Sequence, residues 1–151
     1  MPDKARGITA ATVLAFDFGL QRIGVAVGEA ELCTAHPLPG VAAHTQPGRL
    51  TAIERLVEEW KPSLLVVGRP LGEDGAPHEM TRRAERFARQ LNGRFRLPVE
   101  MVDERYSSAE VESRVRAAYG NRKAVKLSRG KTLDSHAAQI ILEQYFGDKT
   151  P

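Results

Sequence analysis

Residues 13–28, VLAFDFGLQRIGVAVG, decide how the rest of the chain is read. An apolar run ends on the carboxylate Asp17, a short Gly-containing turn follows, and a second apolar, β-branched run begins. Apolar runs bounded by turn residues read as buried strands, and a short link between two of them reads as a hairpin. An acid at the end of a buried strand is costly to desolvate unless a cation or hydrogen-bond donors meet it. Gly19 and Gly24 permit tight turning or close backbone approach, which a phosphate-bearing partner can use. Asp17 is also well suited to capping the hairpin turn, so this stretch alone leaves both roles open.

The composition sets the bounds. A chain of 151 residues, 42% hydrophobic and 27% charged, fits one soluble globular domain over 1–151, with residues 1–11 expected as a flexible leader. No apolar run is long enough to span a bilayer, and Met1–Arg6 lacks the apolar core of a signal peptide. The single cysteine, Cys33, excludes an intrachain disulfide and a CxxC metal site and fits a reducing, cytoplasmic setting. A net charge of +3 says little by itself, but its distribution says more. Between Arg114 and Lys131 stand seven basic residues (Arg114, Arg116, Arg122, Lys123, Lys126, Arg129 and Lys131) and no acidic one. Such a stretch is the footprint of a nucleic-acid or polyphosphate binder, although a solvated basic loop has the same composition.

Periodicity then gives the order of elements. Strands are predicted at Thr12–Asp17, Arg22–Gly28 and Thr34–Ala43, the last holding Pro37 and Pro39 and so an edge strand. Leu50, Ile53, Val57 and Trp60 recur at helical spacing, which predicts a helix over Gln46–Trp60 that stops at Lys61-Pro62. Leu64–Val67 is fully apolar and closed by Gly68, the pattern of a central parallel strand. After the loop Arg69–Pro77, residues Met80, Ala84, Phe87, Ala88 and Leu91 mark a second amphipathic helix. Its other face carries Arg82, Arg83, Arg86 and Arg89, either a solvated surface or a track for a phosphate backbone. Val99–Val102 is the last strand and Asp103-Glu104-Arg105 stands at its carboxyl end. Ser107 and Glu110 form a capping-box pattern, predicting a third helix to Tyr119. A final helix is expected over Thr132–Phe146, with Ala137, Ala138, Ile140, Ile141 and Tyr145 turned to the core and Gly147 ending it. The fold class is therefore α/β, a mixed five-stranded sheet with three antiparallel strands followed by two parallel ones, flanked by helices on both faces.

Three acids occupy special places in this scheme. Asp17 ends the first strand, Glu104 ends the last, and Asp134 lies in the first turn of the final helix, in line with Ala138, Ile141 and Tyr145. Functional groups of open α/β sheets gather at the carboxyl ends of the strands. If the first and last strands are neighbours, Asp17 and Glu104 sit side by side with Asp134 overhanging them. Converging carboxylates repel one another, and oxygen-loving divalent cations such as Mg²⁺ relieve that repulsion. A pair of such ions can clamp a phosphodiester. Each acid has a plainer reading: Glu104 can pair with Arg105 or a helix arginine, and Asp134 can complement a helix N-terminus.

Five segments together resemble the YqgF family, known in bacteria as Holliday-junction resolvase-like proteins and pre-16S rRNA nucleases. They are residues 17–28, Val67–Leu71, Asp74-Gly75, Asp103–Arg105 and 134–142. The resemblance runs from about residue 12 to 146. It implies an RNase H-like fold and a nuclease site whose acids fall on Asp17, Glu104 and Asp134, with one or two Mg²⁺ or Mn²⁺ ions as cofactor. It further implies maturation of the 5′ end of small-subunit ribosomal RNA, so structured RNA is the favoured partner and branched DNA the alternative. The backbone-binding residues expected are Arg122, Lys123, Lys126, Arg129 and Lys131, which lead directly into Asp134. One departure is local: residues 72–75 read Gly-Glu-Asp-Gly where the family commonly has an Asn-containing turn.

The remaining candidates carry less. His136 falls on a different helix face from Asp134 and reads as a surface or packing residue, while His36, His44 and His78 show no ligand spacing. Ser107 and Ser108 have no His–Asp partners for a hydrolase triad. Three rivals stand beside the RNA nuclease: a junction resolvase, which needs a homodimer to make symmetric cuts, a nucleotide-binding domain of the actin-like type, whose hairpin is similar, and a non-catalytic RNA- or ribosome-precursor-binding module. No membrane partner is expected, and the sequence leaves monomer and homodimer equally open.

Overall fold

The computed structural model describes residues 11–42, 46–72, 74–104, 113, 116, 117 and 131–149. In chain order these form β1 (Thr12–Asp17), β2 (Arg22–Glu29), β3 (Thr34–Ala42), α1 (Gln46–Trp60), β4 (Leu64–Arg69), α2 (Glu79–Phe95), β5 (Val99–Asp103) and α3 (Lys131–Lys149). The helix expected over Ser107–Tyr119 falls outside the described residues except for Ser113, Arg116 and Ala117, which are helical.

The strands form one five-stranded sheet in the order β3-β2-β1-β4-β5. β1–β2 and β2–β3 are antiparallel, and β1–β4 and β4–β5 are parallel. The sequence reading holds for every strand and for the direction of each. The condition under which the first and last strands are neighbours is not met, because β4 lies between β1 and β5. A strand–helix–strand connection fixes parallel direction and handedness, but not which strand is laid down first against the hairpin. Here α1 returns the chain beside β1, and α2 then adds β5 outside β4.

Alternation along each strand divides the side chains between two layers. Leu14, Phe16, Ile23, Val25, Val27, Leu65 and Val67 turn to one face and pack with Ile53 of α1 and with Ala84, Phe87, Ala88 and Leu91 of α2. The Phe16 and Phe87 rings meet edge-on with centroids 5.9 Å apart. Val13, Ala15, Ala26, Val66 and Val102 turn to the other face, which α3 covers with Ala138, Ile141, Leu142 and Phe146. Tyr145, expected in the core, is only half-buried, and its hydroxyl lies 3.4 Å from a Glu100 carboxylate oxygen. Phe146 takes the buried place instead. The helix also continues past Gly147 to Lys149. Gly147 is not among the glycines of positive φ, so no left-handed cap is formed there.

The prolines of β3 have the expected effect. β3 is an edge strand, and its register against β2 shifts between Ile23 and Val25. α2 begins on His78, whose Nδ1 accepts from the Met80 N–H at 3.2 Å while its own N–H donates to Thr81 Oγ1 at 3.0 Å. His78 is thus a helix cap, consistent with its lack of ligand spacing.

Candidate functional site

The site begins with the parity of the strands. Val13 and Ala15 face α3, so the next residue of that parity, Asp17, points to the same side at the carboxyl end of β1. Its cross-strand partner in β2 is Gly24, the glycine of the opening motif. On its other side the register that pairs Phe16 with Val67 sets Asp17 beside Gly68 of β4. The half-buried Asp17 is therefore flanked by two positions without side chains.

Glu104 approaches from the far side of Gly68. Its N–H donates to the Arg69 carbonyl at 3.1 Å, which carries the β4–β5 ladder one residue beyond the last strand. Val102 faces α3, and Glu104 follows on the same parity. Its carboxylate leans inward over β4: Oε1 stands only 2.8 Å from where a Cβ at Gly68 would be, with Ile141 of α3 against the same spot. Asp17 and Glu104 are thus separated by one intervening strand rather than side by side. The missing side chain of Gly68 makes room there for the Glu104 carboxylate and for Ile141. Sequence reading took Gly68 for a strand terminator and missed this role, although its position immediately after an apolar strand and before Arg69-Pro70 was the available signal.

The neighbouring acid of the Asp103-Glu104 pair turns the other way. Asp103 Oδ1 accepts from Arg69 Nη1 at 3.1 Å, and Arg69 Nε donates to Glu85 Oε2 of α2 at 2.9 Å. These bonds, that to Glu85 first, hold the Arg69 guanidinium above the ordinary arginine range. Arg69 therefore ties β4, β5 and α2 together on the side away from α3. Beyond it, the departing loop is well formed: Asp74 Oδ1 accepts from the Ala76 N–H at 2.9 Å, the Gly72 N–H donates to the Ala76 carbonyl at 2.8 Å, and Gly75 takes φ 81°. An aspartate side chain closes this turn as an asparagine can, and glycine supplies the left-handed residue.

The third acid belongs to α3. Ser135, next to Asp134, is fully buried; its Oγ accepts from the Val25 N–H at 3.3 Å and donates to the Leu38 carbonyl. Val25 and Leu38 are cross-strand partners beside the register shift between β2 and β3, and one hydroxyl bonds to the backbone of both. The first turn of α3 is thereby pinned beside Gly24, the partner of Asp17. The side chain of Asp134 lies outside the described residues, as do Arg122, Lys123, Lys126 and Arg129 and the side chain of Lys131. Among the described residues no three His, Cys, Asp or Glu side chains converge; Asp17 and Glu104 are the two acids brought to one face. His136 is half-buried on α3. Among the described residues no helix is long and apolar enough to cross a membrane.

Comparison with known proteins agrees with this architecture. The RuvX family, described as Holliday junction resolvase, matches residues 11–148. A protein of Paraburkholderia phytofirmans named "Putative pre-16S rRNA nuclease" is 53% identical over 135 residues, covering 89% of this chain and 87% of its own length. A protein of the same name from Dechloromonas aromatica is 51% identical, covering 89% and 90%. Among solved structures, T. thermophilus RuvC in complex with a Holliday junction substrate superposes with a TM-score of 0.58 at 18% identity, covering 91% of this chain and 95% of that one. The Fowlpox virus resolvase bound to Holliday junction DNA gives 0.58 at 12% identity, covering 93% and 99%. The sheet order, the helices on both faces and these likenesses establish the RNase H-like fold expected from the sequence. The chain belongs to the RuvX (YqgF) family of RNase H-like nucleases.

Proposed function

We propose that this protein hydrolyses phosphodiester bonds of structured RNA with a divalent cation held by Asp17, Glu104 and Asp134, and that its substrate is the precursor of small-subunit ribosomal RNA, cut near the 5′ end. The observation that carries the proposal is the convergence of Asp17 and Glu104 on one face across Gly68. The donor set fits such an ion: carboxylate oxygens suit Mg²⁺ or Mn²⁺, and the glycine between the two acids lets the Glu104 carboxylate lean in over β4. When bound, one or two such ions would polarise the scissile phosphate and lower the pKa of an attacking water.

The chain's own residues supply the rest. Asp17, on the central strand of the sheet, is an anionic donor flanked by Gly24 and Gly68. Glu104 leans in from the neighbouring loop, and Ser135 holds the helix start that carries Asp134. In the hydrolysis a water oxygen bonds to phosphorus, the bond to the leaving oxygen breaks, and the water's proton passes to that leaving group. No covalent enzyme intermediate is required. Arg122, Lys123, Lys126, Arg129 and Lys131 would neutralise backbone phosphates beside this centre. A cytoplasmic location goes with such a substrate.

The names of relatives at about half identity support the RNA substrate. The family's description supports a second reading, the Holliday-junction resolvase, which would act as a homodimer. The test is cleavage of a labelled precursor RNA and a four-way DNA junction by wild type and Asp17→Asn, in Mg²⁺, Mn²⁺ or EDTA. Cutting of the RNA that needs metal and is lost in Asp17→Asn is expected. Preference for the junction would replace this substrate with the second reading. Binding of RNA without cutting by either protein would leave a binding module and overturn the nuclease centre.

A further inference from the structure

The arginine face of α2 was open between solvated surface and phosphate track, and its surroundings distinguish the two. Thr81, Ala84, Phe87, Ala88 and Leu91 are buried, which fixes the opposite face outward. Arg82, Arg83, Arg86 and Arg89 are exposed there and, with Glu79, line an open groove of about 480 Å³. The two acids of this helix are already engaged. Glu79 Oε2 accepts from Arg83 Nη2 at 2.8 Å, which lowers the Glu79 pKa, and Glu85 holds Arg69. Among the described residues, Arg82, Arg86 and Arg89 form no salt bridge.

Their spacing is itself unfavourable. Arg82 and Arg86 stand four residues apart and Arg86 and Arg89 three, separations at which like charges repel along a helix. A polyanion lying along the row relieves that repulsion. From Arg82 to Arg89 the helix rises roughly 10 Å, the axial reach of about three phosphates of one duplex strand. The row also has a definite place: α2 follows the loop that leaves the carboxyl end of β4, and packs on the face of the sheet opposite α3.

We infer that Arg82, Arg86 and Arg89 form a second phosphate-backbone contact, on the opposite face from the Asp17–Glu104 centre, which holds a duplex arm of the nucleic-acid substrate. A substrate held at both places must pass around the carboxyl edge of the sheet, so bent or multi-armed nucleic acids are favoured over straight duplexes. The inference takes from the nuclease reading only that the ligand is nucleic acid.

The test is binding of a labelled multi-armed RNA in EDTA, where no cleavage is needed, as a function of salt. Failure here is therefore separate from failure of the catalytic proposal. The triple variant Arg82→Gln/Arg86→Gln/Arg89→Gln should bind roughly ten- to fiftyfold more weakly near physiological salt, with the log–log salt slope shallower by about 2–3. Arg83→Gln, which removes a charge already paired with Glu79, should change the slope by well under one. A wild-type slope in the triple variant would overturn the proposal and leave the patch to a partner other than nucleic acid. An equal loss for Arg83→Gln would overturn the assignment to this row.

Discussion

The two faces of the sheet are built from the same strands and differ in one respect, the size of what they carry. Toward α1 and α2, β1 and β2 present Leu14, Phe16, Ile23, Val25 and Val27. Toward α3 the intervening positions are Val13, Ala15, Gly24, Ala26 and Gly28, and β4 adds Gly68. The large face is a conventional core, where stability comes from apolar area removed from water. The small face lets a helix lie close to the backbone and ends in carboxylates that a bulky neighbour would displace. The candidate site thus shares only the small face, and substitutions on the large face should separate stability from it.

The largest loss of stability is expected on the large face. Phe16→Ala removes a fully buried ring that packs on Phe87 and should cost about 3–5 kcal/mol in denaturant unfolding. Cleavage per folded molecule should change little, since the ring points away from Asp17. A selective loss of catalysis at full stability would break the division between faces.

Next come Gly28 and Gly68 of the small face. A Cβ at Gly28 would collide with the Thr34 carbonyl and lie 2.9 Å from Leu142 and 3.1 Å from Phe146. At Gly68 it would meet Ile141 and the Glu104 carboxylate. Both alanine variants should lose about 1–3 kcal/mol by overpacking. Only Gly68→Ala should also lower the cleavage rate of the folded protein, by about a hundredfold, because a misplaced reacting group costs about that much. Thermal melts and single-turnover cleavage on the pair distinguish the two effects. Equal activity losses would remove the special role of Gly68.

The most local effect is expected at Ser135. Ser135→Ala leaves the Val25 N–H and the Leu38 carbonyl without the hydroxyl that serves both, for about 1–3 kcal/mol. Its hydrogen-exchange signature should be local, with protection lost at Val25 before the rest of β2. Unchanged protection at Val25 would mean that another group replaces the hydroxyl.

Much of this was legible in the sequence because periodicity reports burial directly. The hairpin at 13–28, the proline-marked edge strand, the fully apolar β4 and the positions of Asp17 and Glu104 at strand ends all follow from local pattern. What failed depended on contacts between distant segments. The order of β4 and β5 against β1 is decided by packing of the crossovers, so local pattern leaves the spacing of Asp17 and Glu104 open. Gly68 looks like punctuation until the parallel register sets it between two acids. Ser135 looks like an ordinary serine near the helix start until its hydroxyl meets the Leu38 carbonyl, 97 residues away. Gly147 looks like a stop, yet the helix continues to Lys149. The basic residues Arg122–Arg129 lie outside the described residues.

The central claim is that Asp17 and Glu104, facing each other across Gly68, form the hydrolytic centre. Single-turnover cleavage of a precursor RNA in Mg²⁺ by wild type, Asp17→Asn and Glu104→Gln tests it most directly, with a thermal melt of each protein alongside. Each variant should lose at least about 10²–10³ in rate while melting no lower than wild type, since each removes negative charge without removing volume. A variant that cuts at the wild-type rate would take its residue out of the centre, and wild-type rates in both would contradict the account.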